Sequence, residues 1–231
     1  MKFFKDKKKY VDEKEVKLRS FLLKNKDNYS PSAYDYLINH YGDYYYNPEY
    51  AYDILIELYS KFGIISKEKD FYYGIFNKIN NIYGLNRDVV EVASGTYPRL
   101  AEIIGEYQSK NNFGSVKAYD PKIVISSLEN VEINKCNFSL DTPIKKDSLL
   151  VATFPCDATL DIIRNANNND LEFLIALCGC IHDGFSDYEE WEDYVFDFAS
   201  CQSNDKFNIY TDSLDEAYSV PWKVIYKIKN T

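Results

Sequence analysis

The composition of this 231-residue chain is that of a globular protein, and it excludes several protein classes. Hydrophobic residues make up 45% of the chain and charged residues 27%, and no apolar run approaches the roughly 18 residues of a membrane-spanning helix. The net charge of -9 argues against a broad nucleic-acid-binding surface, because phosphate binding relies on clustered Lys and Arg.

The N-terminal residues are basic but include no apolar segment of the kind that directs secretion. We therefore expect a cytoplasmic protein without a membrane partner. The chain has five cysteines, an odd number, which we expect to be reduced thiols in that compartment.

The first 86 residues have apolar patterns of helical period and little strand character. Pro31 and Pro48 each follow a polar residue and open such a pattern at its first helical position. A third pattern ends before Gly84. Residues 1–86 are therefore predicted to form a helical lead-in or cap, and residues 87–231 a second domain.

Strand and helix patterns alternate in the second domain, which predicts an α/β fold with a largely parallel sheet. The predicted strands are 88–93, 115–120, 131–136, 148–154 and 171–178, and the predicted helices are 98–110, 157–169 and 187–202. The run 165–170, at the end of the second of these helices, is polar enough to be a loop.

The last two predicted strands, 206–212 and 220–229, have no helix-length segment between them and should pair antiparallel. The pattern as a whole predicts a doubly wound, mostly parallel sheet of about seven strands that ends in an antiparallel hairpin and follows N-terminal helices.

The stretch VVEVASGTYPRLAEII, residues 89–104, passes from a predicted strand to a predicted helix through a tight corner. The backbone must come close to any ligand bound there, and Ala93, Ser94 and Gly95 are small enough to permit it. Pro98 suits the first turn of the helix, whose exposed amides can meet a polar ligand group. The corner therefore predicts a binding site.

Two acids accompany this corner. Glu91 lies in the strand before it, and Asp120 ends the next predicted strand. An acid at that second strand tip can accept hydrogen bonds from both ribose hydroxyls of a nucleoside cofactor. The acid and small-residue pattern therefore favours a nucleoside ligand.

Over residues 87 to 229 the chain resembles the class I S-adenosylmethionine-dependent methyltransferases. That family marks its first strand with E/D-x-G-x-G-x-G, and the same frame here holds Glu91, Ala93, Gly95 and Tyr97. Its sheet also ends in an antiparallel hairpin. The resemblance implies S-adenosylmethionine as cofactor, with Glu91 acting on its ammonium group and Asp120 on its ribose.

The resemblance implies further contacts with the cofactor. Asn137 and Phe138 follow the third strand, where the family usually places residues beside the adenine. At the tip of the fourth strand, only Pro155 matches the D/N-P-P-Y/F of amine-methylating members, so amine methylation is not supported. The implied cofactor-binding residues are Glu91, Ala93, Ser94, Gly95, Pro98, Asp120, Asn137, Phe138, Thr153, Phe154 and Pro155.

Cys156 and His182 are the candidate catalytic residues, because they follow the fourth and fifth predicted strands at the edge where methyl transfer would occur. A histidine with a near-neutral pKa could take a proton from an acceptor, and a cysteine there could be reactive. Cys178 and Cys180 alternate with His182, but C-x-C-x-H is not the C-x2-C spacing that commonly binds zinc. We therefore expect packed thiols and no metal.

The acidic charge favours a small-molecule acceptor, while tRNA and protein acceptors stay open. Ala93 and Tyr97 stand where glycines are usual, which motivates an alternative: a catalytically inactive binding or regulatory protein of the same fold. An NAD-dependent oxidoreductase would also use Asp120, but the sequence lacks G-x-G-x-x-G. The sequence makes no prediction of oligomeric state.

Overall fold

The computed structural model describes residues 71–95, 97–123, 125–178, 182–214 and 223–230. They belong to Phe71–Thr231, one of two compact units into which the chain divides. The helices predicted after Pro31 and Pro48 lie outside the described residues, as does Cys180. Within the described ranges, no helix is both long enough and apolar enough to cross a membrane.

The described elements match the predicted alternation of strands and helices. The strands are β1 Val89–Val92, β2 Val116–Tyr119, β3 Val131–Asn134, β4 Leu149–Thr153, β5 Glu172–Ala176, β6 Phe207–Ser213 and β7 Lys223–Lys229. The α-helices are α1 Phe71–Tyr83, α2 Arg99–Asn111, α3 Thr159–Asn168 and α4 Tyr188–Gln202, with a 3-10 turn at Cys156–Ala158 before α3.

These strands form one sheet in the order β3-β2-β1-β4-β5-β7-β6. The pairs among β1 to β5 are parallel, whereas β7 runs antiparallel to both β5 and β6. The predicted fold class is therefore confirmed: a doubly wound, mostly parallel sheet with an antiparallel hairpin at its end, β7 being inserted between β5 and β6.

The two faces of the sheet bury different sets of side chains. Val90 and Val92 of β1 lie in a hydrophobic cluster with residues of α3 and α4. Glu91, which alternates with them, faces α2 instead. Strands β1 and β4 are buried along their whole length, which explains their nearly uninterrupted apolar sequence.

Helix α1 packs against α2, and its last residue is joined to the sheet. The Tyr83 hydroxyl donates to the carbonyl oxygen of Phe173 in β5 at 2.6 Å. Burial raises the pKa of Tyr83 well above its ordinary value, so this hydroxyl keeps its proton. Because residues before 71 are outside the described part, the domain boundary near residue 86 remains a prediction.

The polar run 165–170 is polar enough to be a loop, but most of it continues the predicted helix, because α3 ends at Asn168. Asn165 is fully buried, and its side-chain amide donates to the carbonyl oxygens of Ser139 and Leu140. Ala166 is also buried in the core. These contacts with a distant segment stabilise the last turn of the helix, although asparagine is a poor helix former.

Candidate functional site

The carboxyl ends of β2, β1, β4 and β5 lie side by side along one edge of the sheet. After β1 the chain continues to β2 on one side, whereas β4 continues to β5 on the other. In open α/β sheets, ligands bind in the crevice created by such a reversal of strand order. The sheet therefore places the predicted corner, residues 93–98, at its switch point.

The corner has the strained backbone of a tight turn. Ala93 has a φ of 55° and Gly95 a φ of 71°, both in the left-handed region. A left-handed conformation costs an alanine about 1 kcal/mol and a glycine almost nothing, so glycine is the residue that fits this corner with the least strain. A Cβ built at Gly95 would meet none of the described heavy atoms beyond its chain neighbours within 4 Å, so the space in front of it is open.

Asp120 joins the corner to the end of β2. Its Oδ2 accepts a hydrogen bond from the backbone N–H of Gly95 at 2.9 Å, and its Oδ1 accepts one from the N–H of Lys122 at 2.7 Å. A carboxylate offers about four acceptor positions, so these two donors leave acceptor capacity for another polar group. The two predicted parts of the site, Gly95 and Asp120, are therefore in direct contact.

Glu91 is buried in β1 and reaches the start of α2. Its Oε2 accepts a hydrogen bond from the N–H of Ala101 at 2.9 Å. Pro98 is the N-cap residue of α2 and makes no side-chain cap, so the strand carboxylate satisfies one of the first helical amides instead. Its negative charge also complements the positive end of the helix.

Ser94 lies between these acids with an unsatisfied hydroxyl. Only 8% of the residue is exposed, and among the described residues its Oγ has no hydrogen-bond partner. Leaving such a group unpaired costs about 1–3 kcal/mol. An orphaned hydroxyl at the switch point is what a binding site for a polar ligand would contain.

Tyr97 is buried, but its hydroxyl points at α2 and not at Asp120. It donates to Glu102 Oε1 at 2.6 Å, and Arg99 pairs with the other oxygen of Glu102 at 2.7 Å. Sequence reasoning did not find this cluster, although the three-residue spacing of Arg99 and Glu102 on a helix was an available signal. The contact ties the corner to the first turn of α2.

The two residues predicted to lie beside an adenine, Asn137 and Phe138, have different surroundings. The Asn137 side chain is exposed. Phe138 is 9% exposed and packs edge-on against Tyr119, with 5.9 Å between the ring centroids. Phe138 thus contributes to the core beside the end of β2, and its role toward a ligand stays a prediction.

The tip of β4 is also strained. Thr153 is paired with Ala176, whose carbonyl oxygen accepts from the N–H of Phe154 at 2.9 Å. Phe154 and Cys156 then have φ values of 54° and 45°, and Pro155 between them precedes the 3-10 turn. Non-glycine residues held in this region cluster at functional sites, so the β4 tip shares the strain of the β1 corner.

The two candidate catalytic residues lie at the ends of β4 and β5, on either side of Cys178. The sulfur of Cys156 lies 3.5 Å from that of Cys178, which in turn lies 3.5 Å from Nε2 of His182. Within the described residues, no three His, Cys, Asp or Glu side chains are arranged to hold a metal ion. The structure therefore assembles a compact group, Cys156–Cys178–His182, which the sequence had brought together only as a hypothesis.

Sequence reasoning missed Trp191 of α4, which orients the histidine. The His182 and Trp191 rings are stacked with centroids 4.0 Å apart and planes inclined by 24°. The Trp191 side chain is buried, and its indole N–H has no hydrogen-bond partner among the described residues. The sequence placed Trp191 only in a predicted helix and gave no indication that its ring would stack on His182.

Comparisons with known proteins identify similar structures but no relative by sequence. No protein-family model and no curated protein matches the chain. An rRNA methylase from Streptococcus thermophilus is 14% identical with a TM-score of 0.42, covering 63% of this chain and 87% of its own. A protein assigned as an rRNA-methylase from Clostridium thermocellum is 14% identical with a TM-score of 0.45, covering 67% and 93%.

A third similar structure is assigned as a class I S-adenosylmethionine-dependent methyltransferase from Listeria monocytogenes. It is 14% identical with a TM-score of 0.46, and the match covers 95% of this chain and 88% of that one. The strand order described above decides the architecture. This chain has a doubly wound, mostly parallel α/β sheet that ends in an antiparallel hairpin. In an open sheet of this order, the corner after β1 and the tips of β4 and β5 are the places where a site can be built.

Proposed function

We propose that the protein binds S-adenosylmethionine at the corner after β1 and transfers its methyl group to an acceptor. The contact that supports this most directly is the hydrogen bond from the Gly95 N–H to Asp120 Oδ2, which joins the small-residue corner to the acid at the end of β2. The buried Ser94 hydroxyl in the same corner has no hydrogen-bond partner among the described residues, and a polar ligand could supply one. The residues present therefore fit a polar nucleoside ligand.

Each residue of the corner has a distinct role in this proposal. Asp120 would accept from the ribose hydroxyls with the acceptor positions that Gly95 and Lys122 leave unused. Glu91, already held by Ala101, would place its charge near the ammonium group of the cofactor. Gly95 leaves open the space in which that ligand would lie.

The bound cofactor supplies an electrophilic methyl group on a sulfonium, so the protein mainly positions the acceptor and excludes water. The acceptor would lie beside the tips of β4 and β5, where His182 stands. Because Nε2 of His182 faces Cys178, its other ring nitrogen is the one that could take a proton from an acceptor. Stacking on Trp191 would hold the ring in the orientation required.

We further propose that the acceptor is a small molecule. The segment from His182 to Gln202, which borders the β5 tip, has seven acidic residues and no lysine or arginine. Such a surface repels phosphate, and nucleic-acid affinity depends on phosphate contacts. A neutral or cationic small molecule is not repelled by the acidic side chains of this segment.

The proposal is tested by methyl transfer from radiolabelled S-adenosylmethionine into a cell extract that is then separated into small molecules, RNA and protein. We expect label in the small-molecule fraction. Asp120→Asn should lower the transfer about 10- to 100-fold, since a hydrogen bond to a charged group contributes about 1.5–3 kcal/mol. Asp205→Asn removes an equal charge at an exposed position on the opposite edge of the sheet, and should leave the transfer unchanged.

Label in RNA would contradict the proposal of a small-molecule acceptor, but would still support methyl transfer as the reaction. Cofactor binding without transfer to any fraction would favour the alternative of a binding or regulatory protein. That alternative is motivated by Ala93, which stands in the left-handed region where a glycine is usual.

A further inference from the structure

We propose that Cys156 and Cys178 form a redox-active thiol pair, which closes to a disulfide under a small-molecule disulfide oxidant and reopens under a thiol reductant. This site goes beyond methyl transfer and does not depend on it. It is carried by the geometry of the β4 and β5 tips.

The sheet itself brings the two thiols together. Thr153 and Ala176 are partners in the parallel ladder, and Cys156 and Cys178 follow them by three and two residues. Neighbouring strands lie about 5 Å apart, which is within the Cα separation that a disulfide spans. The sulfurs are already 3.5 Å apart and must approach by about 1.5 Å to bond.

The backbone before Cys156 can supply that movement. Phe154 and Cys156 are both held at positive φ, at 54° and 45°, and the 3-10 turn that follows has only three residues. Positive φ is a strained conformation for a non-glycine residue, so a rearrangement of this segment would release strain. The proposed closure places the movement in this turn, outside the β4 and β5 strands.

The surroundings of the two thiols differ in a way that suits stepwise exchange. Cys156 is partly exposed and can meet an oxidant, whereas Cys178 is 6% exposed and lies within 3.5 Å of Nε2 of His182. A thiolate, not a thiol, is the attacking species. The imidazole of His182 is placed to take the proton from Cys178.

The exchange balances in two steps. The Cys156 thiolate attacks oxidised glutathione, whose S–S bond breaks, and one glutathione thiolate leaves and takes up the proton of Cys156. Cys178 then passes its proton to His182 and attacks the Cys156 sulfur of the mixed disulfide, which releases the second glutathione thiolate. That thiolate takes up the remaining proton, so two protein thiols become one disulfide and one oxidised glutathione becomes two reduced molecules.

The experiment treats the full chain with oxidised glutathione, blocks the remaining thiols with N-ethylmaleimide and maps the digest by mass spectrometry. We expect a peptide linked through Cys156 and Cys178, a loss of two alkylated thiols, and full reversal by dithiothreitol. Cys156→Ser should lower the yield of this linked peptide to background. Cys201→Ser, at an exposed thiol near the end of α4, should leave the yield unchanged.

Circular dichroism shows whether Cys156→Ser is folded, and Cys178→Ala serves as the second variant if it is not. Three results would overturn the proposal. One is that Cys156 and Cys178 stay reduced in folded wild-type protein. The second is a linkage of either thiol to Cys180 in their place. The third is a tightly bound zinc ion that shields both thiols until a chelator removes it.

Discussion

At the scale of single residues, two glycines have similar backbone conformations, but only one of them lies in the candidate binding site. Gly95 and Gly84 have φ values of 71° and 66°, and a Cβ at either would meet none of the described heavy atoms within 4 Å. Gly95 lies in the corner after β1, whereas Gly84 follows the end of α1. The same substitution therefore introduces the same strain at both positions.

We predict that Gly95→Ala and Gly84→Ala each lower the free energy of unfolding by about 1 kcal/mol, because alanine is strained at positive φ. Only Gly95→Ala should also weaken S-adenosylmethionine binding, by about tenfold or more, because its methyl group enters the space kept for the ligand. Urea unfolding and calorimetric titration measure the two effects. Equal affinity in both variants would show that the cofactor does not approach Gly95.

The sequence was sufficient to name candidate residues for the site, but not to predict which groups these residues contact. Glu91, Ser94 and Asp120 were chosen as candidates by residue type and by position relative to predicted strands, which are local signals. The partners of Glu91 and Asp120 are backbone amides at Ala101 and Gly95. Almost every residue has a backbone amide, so the sequence does not indicate which amide a carboxylate will contact, and these hydrogen bonds could not be predicted.

At the scale of elements, β7 contains a buried cation. Lys227 is 0% exposed, its Nζ donates to Asn167 Oδ1 at 2.7 Å, and it lies 4.0 Å from the centroid of the Phe207 ring. Burial lowers the pKa of Lys227 to about 8, partly offset by Asp170 and Glu172. The side chain therefore loses its proton in the folded protein at a lower pH than an unfolded lysine does, near 10.4.

This depressed pKa predicts that the protein gains stability as the pH rises. Below about pH 8 the lysine is charged in both states, and the full cost of burying that charge is present. Between about pH 8 and 10 the unfolded chain binds more protons than the folded one, so the free energy of unfolding should rise by up to about 3 kcal/mol.

Lys227→Met should abolish this rise in the free energy of unfolding between about pH 8 and 10. Urea unfolding at several pH values should find the variant at least as stable as the wild type at pH 7.5, with the difference shifting in favour of the wild type toward pH 10. Lys229→Met, at an exposed position of the same strand, controls for the loss of charge. A Lys227→Met difference that is constant with pH would contradict the buried-charge explanation.

Element type was predictable where the hydrophobic pattern was strong, as in β1 and β4. The reason for the end of α3 was not predictable, because Asn165 is held by hydrogen bonds to Ser139 and Leu140, which are distant in the sequence. Tertiary contacts overrode the local preference of asparagine for turns.

At the scale of the whole molecule, strand order determines where a ligand can bind. The order β3-β2-β1-β4-β5-β7-β6 puts the switch point between β1 and β4. Alternating strand and helix patterns predicted a parallel sheet, and the missing helix between the last two strands predicted the hairpin. The order itself depends on which edges pair, which the sequence indicated only through its resemblance to the methyltransferases.

Calorimetric titration of the purified protein with S-adenosylmethionine, S-adenosylhomocysteine and NAD tests the proposed cofactor most directly. We predict binding of one molecule of either sulfur nucleoside per chain and no heat with NAD, because the Gly95–Asp120 corner lacks the glycine pattern that accommodates a pyrophosphate. Binding of NAD alone, or of none of the three, would contradict the proposal.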